Sequence, residues 1–515
     1  MRNLEFIRKL YNGKNCYSDH MSDEELKLLH IHSKVEDIVA DLVRQRKIVF
    51  LTGNPGDGKT FLIKMIAAQI KNYDVYVETD LNSVSDSQGV AKKIIRCYEE
   101  KAPALIAVNE YPFIRLCRKI KAMSFEIYDE IQKVKQNSIV YDVPQISLKQ
   151  IAIVDLNERN LLDKDYNLTA EIIERICQLL MEDSHKSKVL EYNINAMQVP
   201  EIKSQLVALF NLASVSQEHF AVRDIIGAVA FILTACESDD YENTPYYDAI
   251  FVGSNPLLRA IQQYDPIYLS SASLDEMLWN GEIKQNWCLG APEQWPGDSV
   301  FDDDVDGATN LFKSIKHKYY FENEDGFSLR KLQPSEIEKC LELFVNLDTK
   351  KKIIKERIVR SINKLFLPSS DEKKKLRIWT THRYDLSIDA STAVSSKFVD
   401  TSDLDIQMPR PADWLKGIEY TPRHLILKPR HQDTPVMILD IDYLRTLDAI
   451  EDGYPINLLA PQYAQTAALF LEQLSEAELT EENDEGEILI ASRKKSYKRS
   501  IYIKDGKYSF EEDDE

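Results

Sequence analysis

The seven cysteines of this 515-residue chain are scattered from Cys16 to Cys340, and no two form a CxxC pair. That excludes a zinc ribbon and, with the odd count, a disulfide-stapled secreted fold, so a reducing interior is the expected setting. No apolar run approaches the about 18 residues of a membrane span, and the opening stretch MRNLEFIRKLYNGKNC has no apolar signal core. The reading is a cytoplasmic protein with no membrane partner. Basic residues are in deficit, 64 Lys and Arg against 84 Asp and Glu, giving a formal charge of −20. Such a surface repels phosphodiesters, which excludes nonspecific nucleic-acid binding by the chain as a whole. The nine histidines include His30 with His32 but no HExxH or other familiar metal spacing. There is no internal repeat and no nuclease motif.

What is there begins at Ile48. The stretch IVFLTGNPGDGKTFLIKMIA runs from an apolar strand through a glycine-rich turn into a helix-like segment. Gly53-Asn54-Pro55-Gly56-Asp57-Gly58-Lys59-Thr60 satisfies GxxxxGK[ST]. The glycines permit positive φ, so consecutive backbone N–H groups turn inward around an anion, and the following helix adds its N-terminal dipole. Lys59 is placed to reach the β- and γ-phosphates of ATP, and the Thr60 hydroxyl to ligate Mg²⁺. Such an enzyme also needs an acid on a neighbouring strand. LIAVNE, Leu105 to Glu110, is an apolar strand ending in Asn109-Glu110. Glu110 is the expected general base; Asn109 carries no charge and orients only the hydration shell of Mg²⁺. Since most P-loop ATPases of this layout have Asp-Glu there, the expectation is slow or partner-dependent hydrolysis. A further strand runs into Asp155-Leu156-Asn157-Glu158-Arg159-Asn160, where Asn157 is expected to contact the γ-phosphate, with Asp155 the second choice. Arg223 opens a late helical run and is the candidate lid arginine.

Around these motifs, strands alternate with helices. Ile48–Leu51, Val75–Val77, Ala104–Val108 and Gln150–Val154 read as strands, with Lys188–Tyr192 as a fifth, which implies a doubly wound, mostly parallel sheet. Glu24 to Arg44 reads as a helix ahead of it. Glu201–Leu212 and Val222–Ala235 read as a helical lid. Glu237 to Asp306, rich in Asp, Asn, Pro and Tyr, reads as irregular. Helix returns over Ser335–Phe366, and from Arg377 short strands follow, interrupted by a helix at Ala464–Leu474. Glu478–Glu487 reads as an acidic linker ahead of a terminal hairpin and a disordered tail, EEDDE.

The order GNPGDGKT, AVNE, IVDLNERN, EYNINAM and FAVRDII, preceded by HSKVEDIV, resembles the AAA+ ATPases. Within them it resembles those of bacterial antiphage defence islands, closest to the F component of the Dpt/Dnd phosphorothioation-dependent restriction systems. NPLLRAIQQYDP and LDEMLWNGE add to the likeness, which spans residues 1–282 and is loose beyond. The resemblance implies an ATP- and Mg²⁺-dependent subunit of a complex that blocks or degrades unmarked DNA. HerA-like ATPase or nuclease subunits would be its partners, DNA would be reached through the complex, and a homo-oligomer is open. The chain departs from AAA+ rings in lacking an arginine in EDSHKSK. Lys186 and Lys188 do not replace a forked guanidinium; Arg159 is the better stand-in, and a hexameric motor is not implied.

Three motifs are set aside. Asp302, Asp304 and Asp306 imitate half an EF-hand loop, but Lys313 stands where a bidentate Glu is needed, so an acidic surface loop is expected. Asn363-Lys364-Leu365-Phe366 lacks the Asp of a guanine-reading motif. The basic segment Lys350–Lys375 has apolar residues at helical spacing, which predicts a helix packed on its own domain. The expected fold is α/β, a P-loop NTPase (AAA+-like) parallel-sheet core with a helical lid, followed by a mixed α+β C-terminal region. The domains are drawn at 1–198, 199–282, 283–376 and 377–515. The expected function is an ATPase gating an antiviral assembly. Its rivals are a nucleotide-gated scaffold without appreciable turnover and a STAND-type phage sensor.

Overall fold

The computed structural model describes residues 3–11, 21–81, 87–139, 150–162, 168–183, 186–214, 219–235, 244–326, 335–381, 392–408, 424–483, 486–492, 498–504 and 507–513. Among these the chain forms two compact units, one within residues 3–326 and the other within 335–513. The break falls inside the stretch expected as one connecting region, 283–376, so that stretch is shared between the units.

The first unit is built on strands β1 (Ile48–Thr52), β2 (Tyr76–Glu78), β3 (Ala104–Ala107) and β4 (Ile151–Asp155). Their order is β2-β3-β1-β4, and every pairing is parallel. All five residues of β1 are buried, as a central parallel strand requires. Ile48 and Phe50 face helices α5 (Ser87–Glu100), α6 (Glu110–Met123) and α7 (Phe125–Ile139) through Ile94, Phe113 and Ile131. Val49 and Leu51 face α3 (Lys34–Arg44) and α4 (Lys59–Ile70) through Val39, Leu62 and Ile66. Helices thus cover both faces of the sheet. The start of β4 is fixed by Glu130 of α7, 5% exposed, whose carboxylate accepts from the Gln150 and Ile151 N–H groups at 2.9 and 3.0 Å and from the Tyr98 hydroxyl at 2.6 Å. Glu130→Ala leaves three donors without their acceptor and is expected to cost roughly 2–4 kcal/mol. Glu130→Gln, which retains an acceptor oxygen, should cost visibly less; equal urea midpoints for the two variants would contradict this clamp.

The expected fifth strand is a helix, α9 (Lys188–Ala196). Ser187 caps it, its hydroxyl accepting from the Leu190 N–H at 3.1 Å, and Leu190, Asn193 and Ile194 face inward at helical spacing. Residues 24–44 are two helices, α2 (Asp23–Leu28) and α3, each opened by a serine-glutamate capping box. The segment expected as irregular contains α12 (Tyr246–Ala249), α13 (Pro256–Gln262) and α14 (Ala272–Trp279). Its polar residues are helix caps: Asn255 accepts from the Leu257 N–H, and Asp304 caps α15 (Val305–Glu322) through the Gly307 N–H. Residues 302–306 are exposed, as an acidic surface loop should be. One core joins α1 (Asn3–Tyr11), α8 (Leu168–Met181), α9, α10 (Pro200–Ser214), α11 (Val222–Thr234) and α13, and takes in Tyr320 and Phe321 of α15.

In the second unit, the helix Ser335–Phe366, kinked at Lys350, buries Ile354, Ile358, Val359, Ile362 and Leu365. Its cations are spent internally: Arg357 pairs with Asp448, Arg360 and Lys364 with Glu451, and Lys351 with Asp405. Asp448 and Glu451 lie on a helix, Ile441–Glu451, that sequence reading missed. The acidic linker is part of a sheet. Glu481–Glu482 pairs antiparallel with Thr392–Asp400, and the Asn483 amide donates to the Ser395 and Glu487 carbonyls. The expected terminal hairpin is present as Ile488–Ser492 paired antiparallel with Lys498–Lys504, and a third antiparallel strand, Lys507–Asp513, extends it and takes in part of the acidic tail. Among the described residues no helix is long and apolar enough to cross a membrane.

Candidate nucleotide site

The GNPGDGKT turn leaves the C-terminal end of β1 and enters α4 at Lys59. Gly53, Gly56 and Gly58 have φ of +146°, +103° and +84°. At Gly53 a Cβ would stand 2.6 Å from Asp57 Oδ2, and at Gly56 it would stand 3.1 Å from the Arg223 guanidinium carbon. Both positions therefore favour glycine for backbone conformation, and Gly53 for space as well. α4 is 12 residues long. The first N–H groups of such a helix lack intrahelical acceptors and carry the positive end of its dipole toward the loop.

The loop is braced from three directions. From within, Asp57, 4% exposed, accepts from the Asn54 N–H at 2.5 Å, and its other oxygen meets His219 Nε2 at 2.7 Å. From β4, Asn157 Oδ1 accepts from the same Asn54 N–H at 3.1 Å. From the helical side, the Arg223 N–H donates to the Gly56 carbonyl at 3.3 Å and its guanidinium to the Pro55 carbonyl at 3.4 Å. The Lys59 ammonium is 2.9 and 2.7 Å from the Gly53 and Asn54 carbonyls. Burial lowers the Lys59 pKa, while the carboxylates of Asp57, Asp155 and Asp80 act to raise it. Asp155 has its pKa raised, mainly by burial, against bonds from the Asn157 N–H and the Thr52 hydroxyl.

A cavity of about 250 Å³ opens above the loop. Its lining includes the polar Lys59, Thr60, Asp80, Asn109, Arg159 and Arg223 and the apolar Leu10, Leu26, Ile31, Leu168, Ile172 and Ile226. A mostly apolar pocket with a few charged groups is the usual lining of a small-molecule site. Arg159 is buried, 9% exposed, and turned into its own chain's cavity, an address that does not suit a finger reaching a neighbouring subunit.

Of the residues expected at the site, Pro55 to Thr60, Asn109, Arg159 and Arg223 line the cavity; Gly53, Asn54 and Asn157 are not in its lining, and Asn157 meets the loop through the Asn54 N–H. Glu110 does not line it; it is exposed on the first turn of α6. Asp80 is an acid at the cavity that sequence reading did not single out. It follows β2, lines the cavity and acts on Lys59, and the Thr60 hydroxyl donates to the adjacent Thr79 carbonyl at 3.2 Å. The signal was the stretch VYVETD, an apolar strand ending in an acid. His219 was also missed, because nothing local marks a histidine as the partner of a loop 162 residues away.

Comparison with protein-family models, with curated proteins and with solved structures found no match to this chain.

Proposed function

We propose that the chain binds Mg²⁺-ATP in this cavity and hydrolyses it slowly, as the nucleotide-dependent subunit of a bacterial antiviral DNA-restriction assembly. The observation that carries the nucleotide half is the GNPGDGKT turn, held with three positive-φ glycines at the end of a central parallel strand, beside a cavity lined by Lys59, Thr60, Arg159 and Arg223 together with apolar side chains. The assembly half rests on the resemblance to the F component of the Dpt/Dnd systems.

The oxygen donors of Thr60, Asp80 and Asn109 fit Mg²⁺, which takes hard ligands and keeps several waters. When bound, the ion would neutralise charge on the β- and γ-phosphates. Lys59 adds a positive charge on the phosphates, Arg223 and Arg159 cover them, and Asn157 fixes the loop that cradles them. The lining bears on which acid acts. Asp80, two residues after β2, lines the cavity beside Thr60, whereas Glu110, beyond β3, does not line it. On this reading Asp80 is the metal-side acid and the carboxylate that orients attacking water, while Asn109 contacts the γ-phosphate. Glu110 then has no chemical role.

The scaffold reading keeps one observation in its favour: the Asn54 N–H, a phosphate-facing donor in such loops, is engaged by both Asp57 and Asn157. Single-turnover hydrolysis by the purified chain separates the two readings. Turnover above a Lys59→Ala background, increased by the partner subunits, supports the ATPase. Tight binding with no hydrolysis under any partner condition supports the scaffold. For the assembly half, Lys59→Ala should abolish nucleotide-dependent co-purification of a DNA translocase or nuclease and restore phage plating to the level of the null strain. Unaltered restriction in that variant would refute the gating role.

A further inference from the structure

The loop between α2 and α3 brings together two histidines and a glutamate that the P-loop does not use. Glu36, on the first turn of α3 and 4% exposed, accepts from the Ser33 N–H through Oε1 at 3.3 Å. The same carboxylate faces His30 Nε2 at 3.1 and 3.0 Å and, through Oε2, His32 Nδ1 at 3.3 Å. The other nitrogen of His32, Nε2, lies 3.0 Å from Asp37 Oδ2. Asp37 is thus placed to take the Nε2 proton and leave the Nδ1 lone pair facing Glu36. That is the carboxylate–histidine pairing that fixes tautomer and orientation in metal-bound imidazoles. His30 is held in turn by Phe61, the residue after Thr60, with ring centroids 5.8 Å apart.

The geometry points to a divalent transition-metal site of the Zn²⁺ class formed by His30, His32 and Glu36. One ligand atom from each lies within 4.8 Å of the others. Bonds of about 2.0–2.1 Å in a tetrahedron place ligands about 3.3 Å apart. The two edges through Glu36, near 3.0 and 3.3 Å, already have that length, and the third lies within 4.8 Å. Two imidazoles and one carboxylate suit Zn²⁺ or Co²⁺ over Mg²⁺ or Ca²⁺, which take oxygen. Three protein ligands leave one position to water. The site escapes a sequence scan because its spacing, H-x-H-x₃-E, spans a loop and a helix start. Its consequence is local: Leu29, Ile31, Ser33 and Glu36 line the cavity, so a bound ion pins that stretch of wall. The site stands whether or not the cavity takes ATP.

The competing account is an ion-pair cluster in which protonated histidines brace Glu36 and no metal binds. Co²⁺ titration of the chelator-treated full-length chain, read by visible absorption, decides between them. The result expected is one equivalent of Co²⁺ with a tetrahedral spectrum, displaced by Zn²⁺. His32→Ala, at an exposed ring, should weaken binding at least tenfold with unchanged circular dichroism, and His30→Gln should do the same. Asp37→Asn should weaken it by roughly 10- to 100-fold through loss of ring orientation. Absence of stoichiometric Co²⁺ binding, or binding of wild-type strength in both histidine variants, overturns the proposal.

Discussion

Asp80→Asn is expected to lower the rate of ATP hydrolysis by roughly 10²- to 10³-fold, the usual loss when one preorganised electrostatic group is removed from a reacting phosphate. Glu110→Gln is expected to change it by less than about threefold, since an exposed carboxylate outside the cavity contributes little to charge inside it. The contrast follows from where the two strands end. β2 delivers Asp80 to the cavity beside Thr60, whereas the chain turns into α6 at Glu110 and carries that side chain outward. ATP affinity should fall modestly in Asp80→Asn and stay unchanged in Glu110→Gln, because the lysine and the loop amides remain. If Glu110→Gln were the inactive variant and Asp80→Asn the active one, the acid would have to enter from the first turn of α6, and Asp80 would have no part in the reaction.

The second large effect is on stability. His317 of α15 is buried between two carboxylates, Nδ1 2.7 Å from Asp248 and Nε2 2.9 Å from Asp265. Burial pushes its pKa down, but the hydrogen bonds and charges of the two aspartates outweigh burial and bring it up to about 9, from an ordinary value of 6.5. A group whose pKa is raised by folding stabilises the fold fully below its unfolded pKa and loses that contribution as pH rises through its folded pKa. The window is therefore pH 6.5 to about 9, and the shift corresponds to roughly 3 kcal/mol. His317→Gln should be less stable than wild type by about this amount at pH 6, with a much smaller loss between pH 6 and 9.5. Urea denaturation at the two pH values measures this; parallel pH dependence in both proteins would mean that another group carries it.

How far sequence could reach depended on the range of the interaction. The GNPGDGKT turn between strand and helix was legible because its signal is local: eight consecutive residues carry the glycines, the lysine and the threonine. Three strands of the sheet, β1, β3 and β4, were legible because a strand buried on both faces is an unbroken apolar run; the edge strand β2 is only partly buried and was read from its Val-Tyr-Val stretch. Lys188–Tyr192 misled for the same reason, since Lys-Val-Leu-Glu-Tyr reads as a short strand until Ser187 is recognised as a cap and the inward spacing is followed to Ile194. Residues 237–306 misled because Asn, Asp and Pro mark helix starts as well as loops, and only the packing of Leu257, Leu258 and Ile261 in the shared core tells the two apart. Asp80 and Glu110 are both acids at the ends of apolar strands. Which one reaches the cavity is set by how the strands are arranged in the sheet and by the turn into α6, and neither is written in the local sequence. His219 and the His30–His32–Glu36 cluster lay out of reach because their partners are found by folding rather than by spacing.

The central claim is that this chain binds ATP through the GNPGDGKT loop. Calorimetric titration of Mg²⁺-ATP into the purified full-length chain, beside Lys59→Ala, tests it most directly. One site per chain that is lost or weakened at least a hundredfold by Lys59→Ala is the predicted result. No binding by the wild type, or equal binding by the variant, would contradict it.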